Sequence, residues 1–153
     1  MSKSRSSKNG IALQDTLKLS SQGAGMLLGE LEHALLEAAW TLGRPATARE
    51  LHARIVKTRR IEQITSVTVL NRLASAKRLL RREKRDDVYH YEPTLSRDEF
   101  MLRASRHVAE RVLGLGADAV TASIVDVLAE RDPEQLAELG RLVRRKLRER
   151  DDR

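Results

Sequence analysis

The stretch Thr65–Glu92, TSVTVLNRLASAKRLLRREKRDDVYHYE, decides the fold. Its first half has the apolar spacing of an amphipathic helix, with Val69, Leu70 and Leu73 on the buried side. The opposite side of this helix carries threonine, arginine and serine side chains. We therefore predict a helix that exposes a polar face to a partner molecule.

The second half of the stretch predicts a two-stranded hairpin. Alternating residues indicate strands over 79–84 and 88–92, with residues 85–87 at the tip. Pro93 ends the second strand because proline has no backbone N–H to donate to a sheet. A polar helix followed directly by a basic hairpin is typical of a protein that enters a DNA groove and contacts the flanking phosphates.

Positive charge is concentrated in this stretch. The chain has 153 residues and a net charge of +7, from 29 Lys and Arg against 22 Asp and Glu. From residue 94 onward the charges balance, whereas residues 72–85 contain seven bases and one acid, Glu83. Such clustering is typical of a surface that binds nucleic-acid phosphates.

The preceding residues complete a helix-turn-helix. Apolar residues at three- and four-residue steps predict a first helix over residues 27–42, in which Trp40 is expected to pack into the core. Thr47 and Glu50 form a capping box that begins a second helix. After a short turn, Thr65 is predicted to cap the third helix.

Three more helices are predicted after the hairpin. Ser96 and Glu99 form a capping box at the start of the first, and Asp132 caps the last. The apolar stripes of these short helices cannot easily be buried within one chain. We therefore predict that they form a homodimer, most simply one with two-fold symmetry.

The predicted fold class is mainly α with a small β wing. It consists of a winged helix-turn-helix DNA-binding domain followed by a three-helix dimerisation region. Residues 1–25 are predicted to be a flexible basic N-terminal tail, either a solvated leader or an arm that touches DNA. Residues 26–94 are predicted to form the winged helix-turn-helix domain, and residues 95–153 the C-terminal helical dimerisation domain.

The composition argues against other classes. The chain has no cysteine, which excludes disulfides and zinc–thiolate sites. It has no apolar run of the ~20 residues needed to cross a membrane and no signal peptide, so we expect a cytoplasmic protein without membrane insertion. The four histidines show no metal-ligand spacing, and no catalytic motif occurs. We expect no enzymatic activity, no cofactor and no metal.

The polar helix and the hairpin supply the predicted DNA contacts. Arginine can pair with guanine, asparagine with adenine, and threonine or valine methyl groups with thymine. Hairpin cations would bind phosphates without reading sequence. Strand alternation allows only one of Arg81 and Arg82 to face DNA, and a salt bridge with Glu62 or Glu83 is the alternative for Arg72. The predicted DNA-binding residues are Thr65, Val67, Thr68, Asn71, Arg72, Ser75, Arg82, Lys84 and Arg85.

Taken together, these residues resemble the penicillinase repressor family, which includes repressors of β-lactamase, methicillin-resistance and copper-operon genes. The resemblance covers about residues 28–150. It is carried by residues 28–32 with Trp40, 47–51, 68–73 and 88–93. It implies a homodimeric repressor that binds a palindromic double-stranded DNA operator and blocks transcription.

The resemblance also implies possible inducers of such a repressor. In the penicillinase branch, a membrane metalloprotease sensor leads to cleavage of the repressor at an Asn-Phe pair, where this chain has His107-Val108. The copper branch uses a C-terminal cysteine cluster, which this chain lacks. The family usually has glycines after the third helix and in the wing, and Lys77-Arg78 and Asp86-Asp87 stand there instead.

Two other functions stay open from the sequence. The winged helix could serve as a protein–protein interaction module whose basic stretch binds an acidic partner. The chain could also be a non-specific, chromosome-organising DNA protein, although the balanced charge of its last third argues against this.

Overall fold

The computed structural model describes residues 10–153. The chain divides into two compact units, the first ending at Val108 and the second covering Ala109–Arg153. The predicted fold class, mainly α with a small β wing, is confirmed. The division falls inside a helix and not at residue 94, because Phe100 and Ala104 are buried in the core of the first unit.

The elements follow one another in the predicted order. In chain sequence they are a 3-10 turn (Gly23–Met26), α1 (Glu30–Leu42), β1 (Ala46–Thr47), α2 (Ala48–Ile55), α3 (Gln63–Ser75), β2 (Leu80–Arg85), β3 (Val88–Pro93), α4 (Arg97–Leu113), α5 (Ala117–Arg131) and α6 (Pro133–Asp151).

The sheet has three antiparallel strands in the order β1-β3-β2. The hairpin β2–β3 was predicted, whereas β1 was missed because two residues are too few to show alternation. β1 pairs Ala46 with Tyr91 and Thr47 with His90. It thereby ties the start of α2 to the base of the wing.

The turns at both ends of β2 use left-handed backbone at residues other than glycine. Asp86 and Asp87 have φ of 51° and 62° between the paired residues Arg85 and Val88, which makes a two-residue hairpin turn. Arg85 therefore lies in β2 and not at the predicted tip. Arg78, after α3, has φ of 53°. These are the two places where the resembling family usually has glycine.

The predicted capping box of α2 is confirmed, and at α4 the Ser96 side chain caps the helix while Glu99 accepts from the Ser96 hydroxyl. Thr47 Oγ1 accepts the Glu50 N–H at 3.2 Å, and Ser96 Oγ accepts the Glu99 N–H at 3.1 Å. The prediction that Thr65 caps α3 is wrong. α3 begins earlier, with Glu62 as its extended N-cap residue, and Thr65 lies in the first turn.

The core of the first unit is mainly aliphatic and lies between α1, α2, α3 and the sheet. Trp40 packs against this core, as predicted, with its ring centroid 5.4 Å from that of Phe100. Its indole Nε1 donates a hydrogen bond to the Leu95 carbonyl at 3.0 Å. The start of α4 is therefore held against α1.

The first unit includes part of the N-terminal segment that was predicted to be flexible. Ile11 is only 4% exposed, and the Ala12 N–H donates to the Lys77 carbonyl at 2.9 Å. The Gln14 carbonyl lies 3.0 Å from His107 Nε2. Apolar burial and long-range hydrogen bonds hold this part of the segment against the first unit, so it is not the flexible tail that was predicted. Residues 1–9 of the predicted tail lie outside the described residues.

Replacing Ile11 with Ala is expected to lower the free energy of unfolding by about 2 kcal/mol, since a buried side chain would leave a cavity. Chemical denaturation measures this difference. Leu19, which is 82% exposed, provides the matched control, and Leu19→Ala should change stability by less than about 0.5 kcal/mol. Equal effects of the two substitutions would contradict the packed position of Ile11.

The second unit has large apolar side chains on its surface. Residues with more than a third of their surface exposed are Leu113, Leu115, Ile124, Val125, Val127, Leu142, Val143 and Leu147. An open groove beside α5 is lined almost entirely by apolar groups, among them Val112, Leu115 and Ile124. The helical stripes identified in the sequence are thus left partly uncovered within one chain.

None of the helices in residues 10–153 is long and apolar enough to cross a lipid bilayer.

Candidate DNA interface

The helix α3 presents the predicted polar face. Thr65, Thr68, Arg72 and Ser75 are exposed, whereas the apolar residues on its other side are buried. Ser66 is fully buried, and its Oγ lies 2.7 Å from Nδ1 of His52. This hydrogen bond joins α2 to α3 and orients the exposed face.

The hydroxyl groups on this face already donate to the helix backbone. Thr68 Oγ1 donates to the Ile64 carbonyl at 3.0 Å, and Ser75 Oγ donates to the Asn71 carbonyl at 2.7 Å. Each hydroxyl therefore offers a partner its oxygen lone pairs, and Thr68 also offers its methyl group. Val67 is partly buried, which leaves it less of its surface for contact.

Ile64 is an exposed apolar residue on α3 that was not among the predicted DNA-binding residues. It lies in the first turn of α3 and is 69% exposed. An exposed isoleucine beside Thr65 can meet a thymine methyl group in a major groove. Its position directly before Thr65 and one helical turn before Thr68 was the available signal.

Arg72 is exposed in the last turn of α3. Within residues 10–153 its guanidinium forms no hydrogen bond or ion pair, so neither Glu62 nor Glu83 is its partner. The salt-bridge alternative considered for Arg72 is therefore not what the structure shows. The guanidinium is available for an external acceptor.

The two faces of the wing differ in charge. The cross-strand pairs Arg82–Tyr91 and Lys84–Tyr89 share one face, because directly opposed residues of antiparallel strands point the same way. The Arg82 guanidinium lies 4.2 Å from the centroid of the Tyr89 ring, and Lys84 Nζ lies 5.7 Å from it. Tyr89 was not predicted as part of the site, although its alternation with Tyr91 placed both on one face.

The opposite face of the wing carries arginines that are paired with acids. Arg81 lies 2.5 Å from Glu92, and this hydrogen-bonded carboxylate raises the pKa of Arg81 further. Arg85 lies 3.3 Å from Glu83. Strand alternation thus separates Arg81 from Arg82, as predicted, and places Arg85 on the face away from Lys84.

Lys77 is neutralised inside the first unit. Its Nζ donates to Glu32 Oε1 at 2.8 Å, and the Gly29 N–H donates to the same oxygen at 2.8 Å. Burial by itself would raise the pKa of the Glu32 carboxyl, but the hydrogen bonds from Lys77 and Gly29 bring this pKa below its ordinary value. Lys77 is thus part of the protein interior and not of the interface.

Of the seven bases in residues 72–85, four are exposed and make no direct ion pair with an acid among the described residues: Arg72, Arg78, Arg82 and Lys84. Three of the site residues, Asn71, Ser75 and Arg82, line one groove between α3 and β2. The other residues along it are Ala74, Arg78, Leu80, Arg81 and Thr94. This groove connects the polar helix with the cationic face of the wing.

Asn71 links α3 to the wing. Its Oδ1 accepts a hydrogen bond from the Tyr91 hydroxyl at 2.7 Å and another from Arg82 NH1 at 2.9 Å. Burial raises the pKa of the Tyr91 phenol, and the nearby Arg82 opposes this effect. The phenol is therefore a stable donor at neutral pH.

Within the part of the chain that the structure describes, no group of three or more His, Asp or Glu side chains could hold a metal ion.

The arrangement combines an exposed polar helix, a cationic wing face and a groove between them. The cations of this arrangement can donate to phosphates or base edges, its hydroxyl oxygens can accept hydrogen bonds, and its methyl groups can contact thymine.

Comparison with known proteins agrees with this arrangement. The penicillinase repressor family matches residues 28–145, which is most of the chain. Two curated relatives, each called transcriptional regulator BlaI, come from Mycobacterium tuberculosis strains CDC 1551 / Oshkosh and ATCC 25618 / H37Rv. Each is 35% identical over 74 residues, or 48% of this chain. The chain spans 53% of the length of these relatives.

The match includes α1 to α3, the wing and most of the three helices that follow. It confirms the resemblance identified in the sequence, and the matched family is one of regulators and not of enzymes. The chain belongs to the penicillinase repressor family.

Proposed function

We propose that this protein is a sequence-specific DNA-binding repressor that acts as a homodimer on a palindromic operator. One observation carries the proposal: the exposed polar face of α3 and the acid-free face of the wing are joined through Asn71. Family membership supports the same function.

In this proposal α3 lies in the major groove, which is wide enough to admit a helix. Thr65, Thr68 and Arg72 would meet base edges, with Ile64 adding an apolar contact. Lys84 and Arg82 would bind phosphates and set the orientation of α3 on the duplex. Arg85 would contribute less than Lys84, because it lies on the other wing face beside Glu83.

The dimer is proposed from the second unit. Its exposed apolar residues, including Val127, Val143 and Leu147, would be covered by the same surface of a partner chain. A two-fold dimer places its two α3 helices on half-sites about 10 base pairs apart, or a multiple of this spacing, and so requires a palindromic site.

Fluorescence anisotropy with a labelled duplex from the region upstream of the protein's own gene tests this function. We expect binding that is much tighter than for a scrambled duplex of equal length and that weakens steeply with salt. Sedimentation equilibrium should give twice the mass of one chain. Equal affinity for both duplexes would contradict sequence-specific binding, and a monomer at all concentrations would contradict the dimer.

Replacing Lys84 with Ala is expected to weaken binding to the operator and to scrambled DNA by a similar factor, roughly fivefold. The slope of the logarithm of affinity against the logarithm of salt concentration should become shallower by about one, because one fewer counterion is released when one phosphate contact is lost. Arg81→Ala is the matched control, since Arg81 lies on the other wing face and is paired with Glu92. If Arg81→Ala lost as much DNA affinity as Lys84→Ala, binding would depend on the total charge of the protein and not on the position of Lys84.

Induction by a membrane metalloprotease sensor would require a change in α4. His107 and Val108 are both partly buried within this helix, and His107 contacts the Gln14 carbonyl. Proteases bind extended peptides, so cleavage at this pair requires local unwinding of α4 and release of the N-terminal segment. Limited proteolysis with and without DNA would measure how readily this happens.

A further inference from the structure

We propose that Asn71 is a positioning residue that holds the Arg82 guanidinium toward DNA, and that it does not read a base itself. The inference rests on the proposed function and assigns a different role to one residue of the interface. It depends on how the hydrogen-bonding groups of Asn71 are used in the folded chain.

The carbonyl oxygen of the Asn71 side chain is fully occupied. An amide oxygen has two lone pairs, and Tyr91 and Arg82 donate to it at 2.7 and 2.9 Å. Recognition of adenine by asparagine needs this same oxygen to accept from the base while the amide nitrogen donates. Asn71 could therefore read adenine only by giving up at least one of these two protein contacts.

The Tyr91 contact is costly to give up. Tyr91 is 2% exposed and its ring belongs to the core, so its hydroxyl has little access to water as a replacement partner. An unsatisfied hydroxyl at this position would be unfavourable. The Tyr91 hydroxyl thus keeps the Asn71 amide in the orientation that also accepts from Arg82.

Arg82 is held on two sides by groups that leave its charge uncompensated. Asn71 accepts a hydrogen bond from one nitrogen of the Arg82 guanidinium. The central guanidinium carbon, Cζ, lies 4.2 Å from the centroid of the Tyr89 ring. Both partners are neutral, so the guanidinium keeps its full attraction for phosphate. A side chain already fixed in place loses less conformational entropy on binding than a mobile one.

A double-mutant cycle on DNA binding tests this role. In the wild-type background, Asn71→Ala should weaken binding to the upstream duplex by roughly fivefold, with most of this loss absent when Arg82 is already Ala. Additive losses from the two substitutions would overturn the inference, because they would show that Asn71 contacts DNA independently of Arg82.

Base substitutions in the duplex provide a second readout. If Asn71 only positions Arg82, Asn71→Ala weakens binding to every single-base variant of the operator by the same factor. A loss confined to duplexes with an A·T pair at one position would overturn the inference in favour of direct reading.

Tyr91→Phe separates positioning from contact with DNA. The buried Tyr91 hydroxyl cannot touch a duplex, yet its removal frees the Asn71 amide and should weaken binding in the same direction as Asn71→Ala. Thermal unfolding confirms that each variant is folded at the assay temperature. Unchanged affinity in a folded Tyr91→Phe protein would show that the amide needs no such support and would overturn the inference.

DNA binding by the wild-type protein distinguishes a failure of this inference from a failure of the proposed function. If the wild-type protein binds no duplex, the proposed function fails and the positioning role falls with it. If wild-type binding is specific but the cycle is additive, the proposed function stands and only the role of Asn71 is wrong.

Discussion

Arg72→Ala is expected to reduce affinity for the specific operator by roughly 5- to 150-fold, the range for losing one good bidentate base contact. Arg72 is exposed on the polar face of α3 and makes no direct ion pair within residues 10–153, although it lies near enough to Glu32 to help lower the pKa of that carboxyl. Its guanidinium therefore gives up no internal ion pair on reaching a base. Affinity for scrambled DNA should fall much less, so the ratio between specific and non-specific binding should narrow.

Arg72→Lys distinguishes base reading from charge. Lysine keeps the positive charge but lacks the planar pair of donors, so most of the specificity should be lost while non-specific binding is kept. Anisotropy titrations at two salt concentrations measure both quantities. If Arg72→Lys binds the operator as well as the wild type does, Arg72 is a phosphate contact and not a base-reading residue.

Lys77→Met is expected to lower the free energy of unfolding by about 2–3 kcal/mol at neutral pH, because it leaves the Glu32 carboxylate buried without its ammonium partner. We expect a smaller loss of stability than for a fully buried ion pair, because 18% of the Lys77 side chain is exposed to solvent. Urea denaturation measures it. Lys146→Met provides the matched control, since Lys146 is 78% exposed beside Glu149 and the substitution should have little effect.

The same pair makes stability depend on pH. The pKa of Glu32 is lower in the folded protein than its ordinary value, so its stabilising contribution is complete above that ordinary value. The contribution is lost as pH falls through the lower, folded value. The difference in free energy of unfolding between the wild type and Lys77→Met should therefore be largest at pH 7 and shrink below about pH 4. A difference that stays constant from pH 7 to pH 3 would contradict this account.

Local patterns in the sequence determined the secondary structure and its order. The apolar spacing of Val69, Leu70 and Leu73 identified the buried side of α3, and the capping boxes at Thr47 and Ser96 located two helix starts. These features succeed because the interacting residues are within a few positions of one another. The prediction at Thr65 failed because a threonine near a helix start can lie in the first turn as well as at the cap.

Charge along the chain was a weaker guide to the interface. Seven bases were grouped in residues 72–85, but Lys77 is paired with Glu32, which lies 45 positions away in the sequence. Arg81 is paired with Glu92 across the hairpin. The pairing of a cation depends on which distant acid the fold brings to it, and residue counts contain no such information.

By itself, the sequence determined the winged helix-turn-helix, the polar face of α3 and the family, because each depends on short-range periodicity or on matched segments. Only the tertiary structure decided that Asn71 accepts a hydrogen bond from Arg82, that Ile11 is buried in the first unit, and that Arg85 lies away from Lys84. These outcomes depend on contacts between distant segments and on strand register, which form only when the chain is folded.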